Sequence, residues 1–255
     1  MPKGATILRA GALILLLAFL LAPQRFAPVF APLTQYGAPA IYDQGNLLTL
    51  TLAHLGTVLA AALASTVIAV ALGIGVTRAR GAEFLPLSRT LVNVGQTFPP
   101  VAVLAVAVPL VGFGEKPTLI ALFAYGLLPI FENTIVGIKA CPPALLEAAS
   151  GMGMSGWQRL RSVELPLALP MILEGVRLSL VINVGTATIG STVAAKGLGE
   201  VIIAGLLSNN TAFILQGGLV TGLMAILLYD AMAAIERRYC SVVRQIKTTP
   251  LLADC

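Results

Sequence analysis

The stretch EAASGMGMSGWQRLRSVELP, residues 147–166, decides the fold of this chain. Two prolines at 142–143 precede it and can open a helix, because the first helical turn does not use the N–H groups that proline lacks. Residues 151–153, Gly-Met-Gly, end that helix. Ser155 and Gln158 have the spacing of a capping box, which begins a second helix. The stretch therefore predicts two short helices joined by a glycine bend, with Pro166 as the end of the second helix.

The sequence on both sides of this hairpin is strongly apolar. Hydrophobic residues make up 57% of the 255 residues, charged residues only 11%, and the mean hydropathy is +0.92. Such a chain has too little polar surface for a soluble protein. A helix needs roughly 20 apolar residues to cross a hydrocarbon core of about 30 Å. Intervals of this length predict six transmembrane helices, at about 6–23, 48–76, 91–113, 117–138, 168–194 and 210–235.

Positive charges indicate the orientation of these helices. Lys and Arg in short loops are retained on the cytoplasmic side. Most of them lie before the first span or after the second, fourth and sixth: Lys3, Arg9, Arg78, Arg80, Lys139, Arg159, Arg161, Arg237, Arg238, Arg244 and Lys247. This pattern predicts a multi-pass protein with segment 139–166 and both termini in the cytoplasm. The net charge of +5 then reflects topology and contact with anionic membrane lipids, and no nucleic-acid partner is expected.

The first span has two interpretations. Its basic start and the apolar run from Gly11 to Ala22 are typical of a secretory signal peptide as well as of an uncleaved helix. Five further spans make a separate export signal unnecessary, so the uncleaved helix is preferred. Both interpretations place Pro23 to Asn46 on the extracytoplasmic side of the membrane, as a loop.

One side of the hairpin's second helix is apolar, because Trp157, Leu160 and Val163 recur at helical spacing. A helix that lies in the headgroup region without a protein partner would have this pattern. A helix that docks on a cytoplasmic protein would have it too. The apolar pattern does not distinguish these two interpretations.

The spacing within the hairpin resembles the EAA loop of ABC importer permeases, whose pattern is Glu-Ala-Ala-x3-Gly-x9-Ile-x-Leu-Pro. Val163 replaces the isoleucine. The other positions match, at Glu147, Ala148, Ala149, Gly153, Leu165 and Pro166. In that family the loop is a coupling helix that inserts into a groove on a cytoplasmic ATPase. The resemblance implies that segment 139–166 couples this chain to an ATPase through these six residues.

Three further segments resemble the betaine, carnitine and choline importers of that family: 96–100 (QTFPP), 182–189 (INVGTATI) and 197–199 (GLG). The resemblance covers about 47–236. It implies an all-α transmembrane protein with the type I ABC importer permease fold. The expected organisation is a helix and external loop at 1–46, the permease domain at 47–236 and a cytoplasmic tail at 237–255.

Polar side chains within the spans are candidates for a translocation pathway, since a polar atom that faces lipid is costly. The fifth span is rich in hydroxyl groups, and Pro99 and Pro100 must interrupt the third. Helix packing through small residues explains the fifth span equally well. The candidates are Gln96, Thr97, Asn183, Thr186, Thr188 and Ser191.

The resemblance implies a permease of the bacterial cytoplasmic membrane that moves an osmoprotectant such as glycine betaine by alternating access. Its expected partners are a cytoplasmic ABC ATPase, an extracytoplasmic substrate-binding protein and a second permease. The short chain favours a different second permease over a second copy. The ATP-binding sequence GxxxxGK[ST] does not occur, so ATP hydrolysis is expected to belong to another chain. This chain is therefore not expected to be an enzyme.

Catalytic residues, a metal site and a cofactor are not expected either, because His54 is the only histidine and no cysteine has ligand spacing. Lys196, just before the Gly-Leu-Gly turn, departs from the osmoprotectant pattern and leaves the substrate open. An ABC permease for another small polar solute, such as an amino acid, is one alternative. A secondary transporter or channel is another, but it would have inverted repeats instead of a docking loop.

Overall fold

The computed structural model describes residues 3–35 and 37–247, and the side chains of residues 9–35 and 37–238. Every regular element in this part of the chain is a helix. The α-helices are α1 Lys3–Leu21, α2 Ala27–Phe30, α3 Leu47–Val76, α4 Leu85–Thr97, α5 Pro100–Val111, α6 Glu115–Lys139, α7 Pro143–Gly151, α8 Gly156–Arg159, α9 Leu165–Ala187, α10 Leu198–Leu207 and α11 Thr211–Lys247. Short 3-10 helices lie at Pro23–Phe26, Ala31–Leu33, Ala82–Phe84 and Thr188–Val193, and a π-helical turn lies at Leu160–Glu164.

Four of the six predicted spans are confirmed as single helices that are long and apolar enough to cross a membrane. They are Leu47–Val76, Glu115–Lys139, Gly156–Val193 and Thr211–Arg238. The last of these belongs to α11, which continues as helix to Lys247 through the segment predicted as a tail.

The other two predicted spans are not single long helices: the third is interrupted at Pro99 and Pro100, as predicted, and the helix of the first is followed by a sharp bend. The axis turns by 96° between Ala82–Thr97 and Pro100–Val111. Pro99 has a ψ of 141°, outside the helical range, because Pro100 disfavours a helical conformation in the residue before it. The first span ends at Leu21, and the chain turns by 109° into Pro23–Leu33, which is helical where a loop was predicted.

The chain forms two compact units. Unit 1 consists of the chain up to Ala62 with Phe98–Phe123 and Leu180–Leu228, and unit 2 consists of Leu63–Thr97, Ala124–Ser179 and the chain from Tyr229. The long helices α3, α6, α9 and α11 contribute residues to both units.

In unit 1, the segment before α3 is held by the side-chain amides of Asn210 and Gln216, at and after the start of α11. The buried Gln216 side chain accepts a hydrogen bond from the Tyr42 N–H (3.1 Å) and donates one to the Ala40 carbonyl (2.8 Å). Asn210 donates to the Pro39 carbonyl at 2.9 Å. These bonds pair one backbone N–H and two backbone carbonyls that would otherwise need water as a partner. The segment is thus ordered by side chains that are distant in sequence.

In unit 2, an apolar core fixes the helices that lead into the hairpin. Phe131 and Ile135 of α6 pack with Val76 of α3 and Val92 of α4. A second cluster contains Ile138, Ala168 and Ile172, with Leu165 packed against it. Glycine allows close contact here: a Cβ on Gly175 would lie 2.7 Å from the Pro129 carbonyl oxygen. Small residues at helix contacts are typical of membrane proteins.

Candidate functional site

The predicted hairpin is present as α7 and α8. Gly153, in the bend between them, has a φ of +79°, a conformation that side chains disfavour. The capping box is also confirmed: Ser155 Oγ accepts from the Gln158 N–H at 3.3 Å, and Gln158 Oε1 accepts from the Ser155 N–H at 2.8 Å.

The end of the hairpin is different from the prediction. The second helix does not stop before Pro166, because α8 passes through the π-helical turn into α9 without a break. Pro166 is the second residue of α9, directly after the π-helical turn, and a local π-helical adjustment of this kind lets a helix continue past the N–H that proline lacks. The hairpin is therefore a direct extension of the fifth predicted span.

Replacing Ser155 by alanine tests the capping box. We expect the start of α8 to lose about 1 kcal/mol of local stability, because the Gln158 N–H loses its acceptor. Hydrogen exchange of the backbone amides of α8 should then be faster. Ser155→Asp is the matched control, since aspartate also caps helices. Equal exchange in the alanine variant and the unmutated protein would contradict the assignment.

The six residues of the EAA pattern do not lie on one surface. Glu147, Ala148, Gly153 and Pro166 are exposed. Ala149 is buried, and Leu165 packs against the cluster around Ile138, Ala168 and Ile172. The pattern thus contains four residues available to a partner and two that attach the hairpin to its own chain.

The apolar side predicted for the second helix is divided in the structure. Leu160 is buried and Val163 is partly buried, whereas Trp157 is 68% exposed. Met152 is 71% exposed on the same hairpin. The π-helical turn causes this division, since it changes the helical period after α8. Two large apolar side chains of the hairpin therefore face outward.

Two residues of this region were missed by sequence analysis, Arg78 and Glu164. Arg78 follows α3, and its guanidinium forms an ion pair with the buried carboxylate of Glu164. The 86 positions between them leave no local signal in the sequence. Cys141 lies beside this pair, with its Sγ 3.8 Å from the Glu164 carbonyl oxygen. Burial, and then the negative charge of Glu164, raise the pKa of the Cys141 thiol, which favours the neutral form.

The six pathway candidates are distributed over both units. Gln96 and Thr97 belong to unit 2, where Gln96 Nε2 donates to the Tyr125 carbonyl at 2.8 Å. The hydroxyls of Thr186, Thr188 and Ser191 in unit 1 donate to carbonyls within four residues of their own positions. These bonds satisfy the three hydroxyls locally.

Asn183 is the exception among the candidates. Its side chain is fully buried, and neither its Oδ1 nor its Nδ2 has a hydrogen-bond partner among the described residues. A buried polar group without a partner costs about 1–3 kcal/mol. The structure thus places an unsatisfied amide in the fifth predicted span.

The Gly-Leu-Gly turn of unit 1 is built around His54. Its Nδ1 accepts from the Leu198 N–H at 3.3 Å, and its Nε2 lies 3.0 Å from the Val184 carbonyl oxygen. These two contacts select the neutral imidazole with its proton on Nε2. A Cβ on Gly197 would lie 2.9 Å from His54 Nδ1, and one on Gly199 would lie 1.9 Å from the Thr188 carbonyl oxygen. His54 is therefore a packed residue that joins three helices.

Within the described residues, no group of three or more His, Cys, Asp and Glu side chains is arranged to hold a metal ion.

Known proteins are similar to this chain in sequence. The osmoprotectant import permease protein OsmY of Salmonella typhimurium is 40% identical over 195 residues, which cover 76% of this chain and 83% of that protein. The glycine betaine/carnitine/choline transport system permease protein OpuCB of Bacillus subtilis is 39% identical over 194 residues, covering 76% of this chain and 88% of that protein.

The fold is also similar to a solved structure. An inward-facing conformation of the MetNI methionine ABC transporter aligns with a TM-score of 0.68 at 22% identity, covering 76% of this chain and 95% of the matched chain. At this identity the match shows a shared fold. It is the fold predicted from the hairpin, that of a type I ABC importer permease.

The model of one protein family matches residues 68–239, which include the hairpin, the π-helical turn and the Gly-Leu-Gly turn. With relatives at about 40% identity on the same region, the chain belongs to the family of binding-protein-dependent transport system inner membrane components.

Proposed function

We propose that this chain is the permease subunit of an ATP-driven importer of osmoprotectants such as glycine betaine. The observation that carries the proposal is the exposed hairpin, whose EAA residues lie in a chain about 40% identical to permeases named for osmoprotectants. A permease supplies the pathway, and ATP is bound and hydrolysed by a separate subunit. The chain itself is non-catalytic in this proposal and holds no cofactor.

The coupling residues of the proposal have two tasks. Glu147, Ala148 and Gly153 are exposed and contact the ATPase, with Glu147 as a directional hydrogen-bond acceptor. Ala149 and Leu165 attach the hairpin to its own chain, and Pro166, which is exposed, lies at the start of α9. Because α8 runs into α9 without a break, a displacement of segment 139–166 is passed directly to a membrane helix. In this proposal the displacement opens the pathway to one side of the membrane and closes it to the other, which is alternating access.

Trp157 and Met152 extend the proposed contact surface. Exposed apolar patches mark contacts with a protein or with a membrane. In this proposal Trp157 and Met152 pack against the ATPase; a helix in the headgroup region would expose them in the same way.

The proposed pathway residues are Gln96, Thr97, Asn183, Thr186, Thr188 and Ser191. Asn183 is the strongest of them, because an unsatisfied buried amide is stabilised by any state that supplies water or solute as a partner. Alternating access supplies such a state. In the described conformation Asn183 is closed off from solvent.

The proposed assembly contains this chain, a second permease, a cytoplasmic ABC ATPase and an extracytoplasmic binding protein, in the bacterial inner membrane with both termini of this chain in the cytoplasm. The second permease is a different chain. Residues 47–236 form the permease domain of the proposal, after the helix and external segment of 1–46 and before the tail of 237–255.

Variants of the exposed coupling residues test the proposal in proteoliposomes that contain the ATPase and the binding protein. For Glu147→Ala and Gly153→Ala, we expect glycine betaine uptake to fall about tenfold or more, since allosteric coupling of 1–3 kcal/mol corresponds to such factors. ATPase co-purification should fall as well. Glu115→Gln, an exposed carboxylate outside the hairpin, is the control and should leave both unchanged.

Two results would contradict the proposal. Uptake and ATPase association at the unmutated level in both hairpin variants would exclude the coupling role. Uptake of methionine with no uptake of glycine betaine or carnitine by the unmutated assembly would exclude the osmoprotectant class.

A further inference from the structure

The carboxylate of Glu164 joins two cytoplasmic segments that are distant in sequence. Its Oε2 accepts a hydrogen bond from Arg78, which follows α3, and its Oε1 accepts one from Nε of Arg159 in α8 at 3.3 Å. Arg159 in turn donates to Ser150 Oγ of α7 at 2.9 Å. The side chain of Glu164 is only 4% exposed. The end of α3 and both helices of the hairpin are therefore connected through one buried acid.

The π-helical turn makes this connection geometrically feasible. Arg159 and Glu164 are five residues apart, and such residues are about 140° apart around the axis of an α-helix with 3.6 residues per turn. In the π-helical turn the Leu165 N–H donates to the Leu160 carbonyl, an i to i−5 bond that brings residues five apart to the same side. Wide turns of this kind are frequent at functional sites.

The connection depends on its charges. A buried carboxylate is stable only when it is paired, and removal of one partner from a buried ion pair is strongly unfavourable. The Nε of Arg78 is buried and has no hydrogen-bond partner among the described residues. The Arg78 guanidinium is thus held chiefly by Glu164, with one weaker bond to Thr77 Oγ1 at 3.2 Å.

We propose that the Arg78–Glu164 pair transmits movement of the hairpin to α3, as a second link beside the continuous helix from α8 to α9. Glu164 is a positioning residue in this role. The inference rests on the proposed function, in which the ATPase moves the hairpin. Without the pair, the ATPase still binds and displaces the hairpin, but α3 no longer follows, so ATP is hydrolysed with little transport.

The experiment uses Glu164→Gln and Arg78→Gln in the complete assembly in proteoliposomes, with glycine betaine as the solute. The measured quantity is the ratio of glycine betaine imported to ATP hydrolysed. We expect this ratio to fall about fivefold or more in each variant, in the range of typical allosteric coupling. The amount of co-purified ATPase should stay at the unmutated level, and Arg78→Lys should restore most of the ratio.

Glu132→Gln is the matched control. Glu132 forms an Arg–Glu pair with Arg89 in the same unit, at 2.8 Å, but this pair is outside the hairpin. We expect the ratio to be unchanged in this variant. The double variant Arg78→Gln/Glu164→Gln should lose no more than the single variants, because the two side chains act as one unit.

An unchanged ratio of import to ATP hydrolysis in the single variants would overturn the inference, and so would losses of this ratio that add in the double variant. Less folded protein with an unchanged ratio would also overturn it, because the pair would then be a structural contact only. If Glu164→Gln yields no folded protein, Arg78→Gln decides, since Glu164 then still pairs with Arg159. Failure of the ATPase to associate with the unmutated chain would instead refute the proposed function.

Discussion

Gly199→Ala should yield little folded protein. A Cβ at this position would lie 1.9 Å from the Thr188 carbonyl oxygen and 2.7 Å from Ser191 Oγ. The first of these is a backbone atom, so a change of side-chain conformation cannot relieve the clash. Overpacking costs typically 1–3 kcal/mol and occasionally more, and we expect a loss of about 3 kcal/mol or more here. The yield of monodisperse protein in detergent and its thermal unfolding would measure this loss.

Gly185→Ala is the control for this variant. Gly185 lies within α9 of the same unit, and a Cβ there would have no atom within 4 Å. Alanine is favoured over glycine inside a helix by about 1 kcal/mol, so the control should be as stable as the unmutated protein or slightly more so. Equal thermal unfolding of the two alanine variants would show that the close approach at Gly199 is not essential.

His54→Ala has the second largest expected effect, a loss of about 3 kcal/mol of stability. The variant removes the acceptor of the Leu198 N–H and the partner of the Val184 carbonyl, and it leaves a cavity where the ring was. His54→Asn should lose less, because its amide oxygen can replace Nδ1 as the acceptor. The unfolding temperatures of the two variants and the unmutated protein, measured in detergent at constant pH, would rank their stabilities.

Thr57→Val is the matched control for His54→Ala. Thr57 lies one turn further along α3, and its hydroxyl donates only to the Ala53 carbonyl of its own helix at 3.1 Å. We expect a change within about 0.5 kcal/mol, as for most substitutions away from special contacts. If His54→Ala unfolded at the same temperature as Thr57→Val, the role of the imidazole as a junction between helices would be wrong.

The sequence predicted the two helices of the hairpin and the bend between them correctly, because the residues that form the cap and the bend lie within a few positions of one another. The capping box between Ser155 and Gln158 and the bend at Gly153 both depend on backbone conformation close in sequence. The prediction was wrong at Pro166, since it treated proline as the end of a helix. A helix can continue past proline where a local π-helical turn accommodates the missing N–H, and such a turn lies directly before Pro166.

Hydropathy alone could not predict the bend that follows the first span or the angle of the break in the third span. An apolar interval gives a length, but the direction of the helix axis depends on the residues at the break and on the packing of each half. Pro99 and Pro100 located one break, and the angle of 96° came only from the structure. The helix α10 was missed because its ten residues are too few for the span criterion.

The sequence alone determined that this chain is a helical membrane protein with a hairpin of two short helices, since composition and the spacing of residues 147–166 are local properties. The tertiary structure alone decided which side chains of that hairpin are available to a partner, that His54 joins three helices, and that Glu164 joins α3 to the hairpin. These contacts connect residues up to 144 positions apart. A pattern within one segment contains no information on such pairs, because their distance is set by how the whole chain packs.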